Sequence, residues 1–512
     1  MKFCLPCLIL ANFISFVDGR RTTIGKNVLI IAPLDTGTHL ASMSIFAVAL
    51  SNAGHNVSIF EWSYKKEPRN LGPNVTTYHI QEKGLDAKIL EKRAINTFVG
   101  SYNGVEYIEL LPKFNAVTRS YVEEHSDLFR LISLTKWDLV VVDEIFTYHG
   151  LGIAAFLRKH YNVPYAIYST TQMMSHTASS LGLGRNLVAR PYWVTREAED
   201  EHDLYDVKNF FHRLFNVYNS GSEFVGNILL SKRFFGSNNY LIGIDSFNFE
   251  KFFRGSSLTI ADYYTRWKYP IPENSRLKSM ASACKKVDKL PSDLKQFVED
   301  PNSLGTIYIA FGTAVFWQHA PPKMLNAFFE AFEHLKEYRI IFAYSGAPRN
   351  VSSHVQLIKW APQLEILSHP KTKVYLTHGG LKSSKEAACA GIPVVYMPLY
   401  AEQTFNAHMA TSMGFALPLN KHTITAHKLE KTIRRVATES HFKENIIRAR
   451  SLSLDRPISA VNEMIFYVGR VLKARNGEFD FRNKAGHLNW FEFLYGEAVV
   501  LLSILLFVVA SK

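Results

Sequence analysis

The sequence predicts an α/β protein made of two parallel-sheet halves that face one another, and three observations lead there. Apolar strand-like runs alternate with helix-like segments from Asn27 onward. The alternation breaks near "KKVDKLPSDLKQFVEDPNSLG" (Lys285–Gly305) and then starts afresh. In both halves, strand ends carry polar residues or glycine- and histidine-bearing turns. At 512 residues the chain exceeds what one core organises, so two or three domains are expected.

The elements follow in order. "NVLIIAPL" (Asn27–Leu34) is a buried strand, "DTGTH" a turn, and Leu40–Ala53 a helix that Gly54 stops; "NVSIFEW" is the next strand. This β–turn–α–β order implies parallel pairing. "WDLVVVDEIF" places a buried strand at Leu139–Val142 that ends in Asp143, and "PYAIYST" (Pro164–Thr170) is another. Residues from about 171 to 275 are aromatic-rich and irregular, and part of them is expected to line an apolar pocket. After the break come "TIYIAFGT" as strand, "PPKMLNAFFEAFEHL" as helix, "YRIIFAY", "VQLIKWAP" and "KVYLTHGG" as strands, then a helix and "GIPVVYMP". Ligands of such sheets bind beyond the carboxyl ends of the strands, where His39, Asp143, Thr313 and His378 are expected.

Composition narrows the class. The formal charge is +13, but Arg434, Arg435, Lys443, Arg448 and Arg450 interleave with Glu430, Glu439 and Glu444. That is the pattern of a solvated helical face and not of a nucleic-acid track. Residues 1–19 carry Lys2, an apolar run from Phe3 to Val17 and then Gly19, the layout of a secretory signal peptide. The far end is uncharged from Ala498 to Ala510, and 491–510 is expected to be a transmembrane anchor with Trp490, Phe491 and Tyr495 at the interface. Cys4 and Cys7 fall in the signal segment, which leaves Cys284 and Cys389. Those are too few for a disulfide scaffold, so core burial and not cross-linking is expected to stabilise the protein. Asn56, Asn74 and Asn350 each begin an N-x-S/T triplet, of which Asn74 and Asn350 are expected in loops.

The chemistry concentrates in "VYLTHGGLKSSKEAACAGIPVVYMP" (Val374–Pro398), where a buried strand runs into His378-Gly379-Gly380 and at once into a helix. The glycines admit close approach, and the helix start offers unpaired N–H groups and positive partial charge; the natural guest is a phosphate. No Asp-x-Asp pair or His/Cys cluster with metal-ligand spacing is present in the sequence.

The stretch Trp360–Gln403, "WAPQLEILSHPKTKVYLTHGGLKSSKEAACAGIPVVYMPLYAEQ", resembles the donor-binding signature of UDP-glycosyltransferases, most of all the animal UDP-glucuronosyltransferase type, and the resemblance extends over nearly the whole chain. It implies the GT-B fold. An acceptor-binding Rossmann-like domain would occupy 20–285 and a UDP-sugar-binding one 286–475. It further implies that Trp360 stacks on uracil with Gln363 beside the nucleoside, that His378, Gly380, Ser383 and Thr313 surround the diphosphate, that Glu386 takes the ribose hydroxyls, and that Glu402 and Gln403 hold the sugar, with Asn406 a weaker neighbour. From the opposite domain, His39 would be the general base, oriented by Asp143, with Glu144 the nearest competitor for that place. One departure stands out: Lys382 occupies a position where the family commonly has Asn. A lysine pairs with phosphate as a point charge but lacks an amide's paired donor and acceptor.

The expected activity is inverting transfer of a hexose, glucuronic acid first and glucose as the alternative, from a UDP-sugar co-substrate to a hydroxyl of small lipophilic acceptors, without cofactor or metal. A catalytically weak UDP-sugar-binding protein, or a secreted hydrolase or carrier, are the competing readings. The implied location is the endoplasmic reticulum membrane, single-pass with the catalytic domains lumenal. The implied partners are the UDP-sugar, the acceptor and the membrane, with homo- or hetero-oligomers compatible and no nucleic acid.

Overall fold

The computed structural model describes residues 25–33, 37–63, 65–81, 87–103, 122–145, 147–183, 187–233, 247–474 and 488–511; the expected signal peptide lies outside them. The described residues form two sheets. The first joins β1 (Asn27–Ile31), β2 (Asn56–Ser63), β3 (Val75–Gln81), β4 (Leu139–Asp143), β5 (Tyr165–Ser169), β6 (Leu258–Ala261) and β7 (Leu277–Ser279) in the order β3-β2-β1-β4-β5-β6-β7. The second joins β8 (Thr306–Ala310), β9 (Arg339–Ala343), β10 (Val355–Ile358), β11 (Thr372–Thr377), β12 (Val394–Tyr396) and β13 (Ala416–Pro418) in the order β10-β9-β8-β11-β12-β13. Every pairing among them is parallel.

Continuous apolar runs such as "LVVVD" form strands here because helices cover both faces of a parallel sheet. On one face of the first sheet Val28, Ile30, Val141 and Ile260 pack against Leu40, Met43, Phe46 and Leu50 of the Gly37–Asn52 helix. On the other face Leu29, Ile31, Val140 and Ile167 meet Leu151 and Leu157 of the Tyr148–Tyr161 helix. The second sheet repeats the scheme. Ile309, Phe342 and Leu376 pack on Phe328 and Ile433, while Tyr308, Tyr375 and Tyr396 pack on Ile366, Ala387 and Phe405. The Ala460–Lys473 helix then crosses back, so that Met464 and Val468 complete the core of the first sheet.

Strands β3, β6, β7 and β13 carry too few residues, or too mixed a pattern, to stand out from the sequence; β6 and β7 lie within or just beyond the aromatic-rich stretch and extend the first sheet. Within that stretch Glu223 organises the packing. Its carboxylate accepts from the Tyr192 hydroxyl (2.9 Å), Trp193 Nε1 (3.0 Å) and His176 N (2.6 Å).

Two expectations are corrected. Cys284 and Cys389 are joined by a disulfide, which ties the linker after β7 to the Leu381–Ala390 helix; cross-linking therefore does add to core burial. The C-terminal segment is not one continuous span. Asn489 and Glu492 exchange capping hydrogen bonds (Glu492 N to Asn489 Oδ1, 3.0 Å; Asn489 N to Glu492 Oε2, 2.7 Å), and Tyr495 at φ 55° breaks the chain between helices Trp490–Phe493 and Gly496–Ala510. The second of these has 15 residues, about 22 Å against the ~30 Å of a bilayer core. Among the described residues no helix is long and apolar enough to cross a membrane.

Candidate active site

In both sheets the strand order reverses direction between two central neighbours, and there the connections diverge to opposite faces and leave a crevice. In the first sheet these neighbours are β1 and β4, aligned so that Ile31 lies beside Val142. His39, in the first turn of the helix that follows β1, therefore meets Asp143 at the end of β4. Its Nδ1 is 3.3 Å from Asp143 Oδ2 and 2.5 Å from Thr170 Oγ1, and the Thr170 hydroxyl itself donates to Asp143 Oδ2. Asp143 is fully buried, and its Oδ1 accepts from Ile145 N at 2.9 Å. A carboxylate can only accept here, so the network assigns the imidazole proton to Nδ1 and leaves Nε2 as the basic nitrogen. Thr170, just past β5, is a member of this group that the sequence did not single out. Glu144 faces the other way, accepting from Ser169 Oγ and from Met174 N (3.0 Å). Burial, outweighing those hydrogen bonds, pushes its carboxyl up to about 7. His149 and His176 are core residues: His149 packs edge-on against Phe60 and Trp62, His176 against Phe253, and burial lowers them to about 3 and about 4.

In the second sheet the central neighbours are β8 and β11, with Thr377 beside Ala310. His378 follows β11 directly. Its ring is buried, lies 3.1 Å from the Thr377 hydroxyl through Nδ1, and is held at about 4 by desolvation, so it is neutral near pH 7. Gly379 has φ 90°, and a Cβ there would stand 2.9 Å from the Tyr396 ring; a Cβ on Gly380 would stand 2.6 Å from His378 Nε2. Both positions therefore require glycine. Gly380 caps the Leu381–Ala390 helix, whose first amides point into the crevice. Leu381 N donates to Glu402 Oε1 at 3.4 Å, and burial raises the Glu402 carboxyl.

The remaining expected donor residues divide in two. Trp360 is 78% exposed, its ring face available for stacking, and Thr313 is exposed on the turn after β8. Gln363 and Glu386 touch: Gln363 Nε2 donates to Glu386 Oε2 at 2.6 Å, while Gln363 Oε1 accepts from Tyr308 (3.2 Å) and Tyr375 (3.0 Å). Lys285 stands 3.9 Å from the other Glu386 oxygen. Ser383 and Ser384 turn their hydroxyls inward, to Tyr375 and Tyr396, and Ser384 N already donates to Gly380 O at 3.0 Å, so of the two only Ser383 keeps a backbone N–H without an intrahelical acceptor. Gln403 Oε1 accepts from Leu399 N (2.8 Å) and Tyr400 N (3.1 Å), which fixes the loop that carries Glu402.

The two crevices are tied together across the lobes. Asn406 Nδ2 donates to Gly379 O (2.8 Å), and Asn406 Oδ1 accepts from Gln172 Nε2 (3.1 Å) just beyond Thr170. Lys382 Nζ reaches the Thr170 carbonyl at 3.5 Å and the Asp262 carboxylate. The lysine that replaces the family's common Asn thus points across to the first lobe.

Two facing parallel-sheet lobes with their switch points opposed define the GT-B class of nucleotide-sugar transferases, and solved members share this fold. The calicheamicin glycosyltransferase CalG4 is 17% identical, covering 87% of this chain and 99% of that one with TM-score 0.55. UGT2 of Phytolacca americana, solved with UDP-2-fluoro-glucose and pterostilbene, is 15% identical, covering 88% and 100% with TM-score 0.55. Residues 27–511 match the family described as UDP-glucoronosyl and UDP-glucosyl transferase, and the chain belongs to it. Among relatives, UDP-glucuronosyltransferase 1A6 of Mus musculus is 31% identical over 240 residues, 46% of this chain and 44% of that protein, so the match spans less than half of the mouse protein's length. The UDP-glycosyltransferase UGT5 of Dactylopius coccus is 23% identical over 510 residues, 98% of this chain and 92% of that protein.

Proposed function

We propose that the protein transfers a hexose, glucuronic acid foremost, from a UDP-sugar to a hydroxyl of a small lipophilic acceptor with inversion at the anomeric carbon. The observation that carries this is Thr170: its hydroxyl contacts His39 and Asp143 while its carbonyl contacts Lys382 of the helix that starts at Gly380. A proton acceptor and an anion cradle therefore sit on opposite sides of one residue.

His39 Nε2 takes the acceptor's hydroxyl proton as that oxygen forms its bond to the anomeric carbon, and the Asp143 carboxylate stabilises the imidazolium that results. The bond from the sugar to the β-phosphate oxygen breaks on the opposite face, and UDP leaves with both bonding electrons. Neutral His378, with its proton on Nε2, donates to the diphosphate, and the amides at the start of the Leu381–Ala390 helix take the remaining charge. Trp360 stacks on the base, and Glu386 receives the ribose hydroxyls by exchanging its bond to Gln363 for them.

A lumenal location is supported by the leader-like residues 1–19 and by the Cys284–Cys389 disulfide, since such bonds persist in oxidising compartments. The test is product mass spectrometry with UDP-glucuronate and UDP-glucose in competition over a panel of phenols. Hexose addition that His39→Ala abolishes supports the proposal. UDP binding without turnover under every donor would instead support a binding protein.

A further inference from the structure

Asp262 follows β6 directly and is 2% exposed. Four groups converge on its carboxylate or on the lysines that hold it. Ser42 Oγ, one turn along the helix that begins beside His39, donates to Oδ2 at 2.5 Å. Lys382 Nζ donates to the same oxygen and Lys385 Nζ to the other. Lys382 also reaches the carbonyl of Thr170, whose side chain contacts His39 and Asp143. The two lysines lie three residues apart and so share one face of the Leu381–Ala390 helix, with Gly380 capping its start.

Charge holds this contact together. Burial by itself would raise the Asp262 carboxyl, but the ammonium groups of Lys382 and Lys385 outweigh it and bring it to about 2. Burial lowers Lys385, against the pull of Asp262. Separating the lobes would break both lysine contacts at once and leave Asp262 with Ser42, whereas removing the carboxylate within the closed molecule would leave two lysines without their shared partner.

We propose that Asp262 is a positioning residue that sets the distance between the general base and the donor cradle, and that Lys382 serves this clamp and is not primarily a diphosphate ligand. The base helix is fixed through Ser42, the hydroxyl partner of the base through Lys382 and Thr170, and the cradle helix through both lysines. A single carboxylate thereby registers the two reacting halves. Catalysis by approach is sensitive to such registration, since displacement by about 1 Å can cost on the order of 10²-fold in rate.

The kinetic part of this inference rests on the transferase reading; the structural part does not. The experiment compares wild type, Asp262→Asn, Lys382→Asn and the double variant. Steady-state kinetics are measured with the best UDP-sugar, UDP affinity by calorimetry, and the radius of gyration of the free protein by small-angle X-ray scattering. Asp262→Asn is expected to lower kcat by on the order of 10–10²-fold with UDP affinity nearly unchanged, and the double variant to be no slower than the slower single variant. If instead the two kcat losses multiply, or Lys382→Asn acts on UDP affinity alone, the clamp is refuted. Where wild type transfers no sugar, the transferase reading fails and scattering decides the clamp: expansion of Asp262→Asn and of Lys382→Asn supports it, and dimensions equal to wild type overturn it. Should Asp262→Asn not fold, Lys382→Asn combined with Lys385→Gln loosens the same contact and is judged by the same three measurements.

Discussion

The two switch points share one backbone plan and differ in what the side chains make of it. Each lies between the first and fourth strands of its sheet as the chain runs, and each places a histidine just beyond a strand end. At the first, the imidazole has a fully buried carboxylate and a hydroxyl against Nδ1, and its side chain stays 12% exposed. At the second, the imidazole faces a hydroxyl and two glycines, and burial holds it at about 4. The lesson is that topology supplies a crevice, whereas the group behind the ring decides its chemistry. In the proposed reaction the carboxylate behind His39 suits that ring to act as the base, and the desolvation that keeps His378 neutral suits it to donate to an anion.

The contrast is most exposed to exchange of the two histidines for alanine. His39→Ala is expected to lower kcat by about 10²–10⁴-fold and leave UDP affinity intact, whereas His378→Ala is expected to raise the donor KM and weaken UDP. Steady-state kinetics and calorimetry on both variants check this, and a loss of UDP affinity in His39→Ala would merge the roles. The second lobe's helix is also pinned covalently, through Cys389, and the first lobe's is not. Replacing both cysteines by serine is expected to cost about 2–5 kcal/mol in urea unfolding and to weaken UDP more than it disturbs the base. Thr170→Val removes the hydroxyl that bridges His39 and Asp143 and should lower kcat by roughly 10-fold, since a hydrogen bond to a charged group contributes about 1.5–3 kcal/mol; an unchanged kcat would reduce the first site to its His–Asp pair.

Acid should weaken both lobes through their buried histidines. His378 and His408 in the second lobe, and His176 in the first, are each lowered to about 4, and His149 to about 3, all by burial first. Between the ordinary imidazole value of about 6.5 and these values the unfolded chain binds more protons than the native one. Their contribution is therefore complete above about pH 6.5 and is lost as pH falls toward 4. Glu144, raised to about 7, has the opposite sign: its contribution is complete below the ordinary carboxylate range and lost as pH rises through 7. Thermal unfolding from pH 7.5 to 5 should show a falling midpoint, and Glu144→Gln should steepen it. The smallest effect is expected at Ala401, which has φ 55° just before Glu402. Ala401→Gly relieves that strain and should stabilise by less than about 1 kcal/mol in the same assay.

Much of the molecule was legible from contiguous residues. Asn74 and Asn350 stand exposed in loops as the triplets suggested, while Asn56 opens β2 and donates to Asn27 Oδ1 at 3.1 Å. The long buried strands, the helix after β1, the glycine turn after β11 and the positions of His39 and Asp143 at neighbouring strand ends all follow from apolar runs, turn residues and the rules of parallel sheets. These signals act over a few residues and survive in a linear reading. The short edge strands did not survive it, because three or four residues carry no period. Nor did the continuous C-terminal span, because apolar composition does not reveal that Tyr495 interrupts the helix. The polar partnerships were decided only in three dimensions. Thr170 meets His39 across 131 residues, Asp262 meets Lys382 across 120, and Cys284 meets Cys389 across 105. Asp262 had one visible sign, an acidic residue just past a buried strand as Asp143 ends one, but nothing in its neighbours names its partners. Contiguous residues placed His39, Asp143 and His378 at strand ends, since burial and turn chemistry are local. The tertiary structure decided what each one touches, since a buried charge takes whatever partner the packing of distant strands and helices brings within reach.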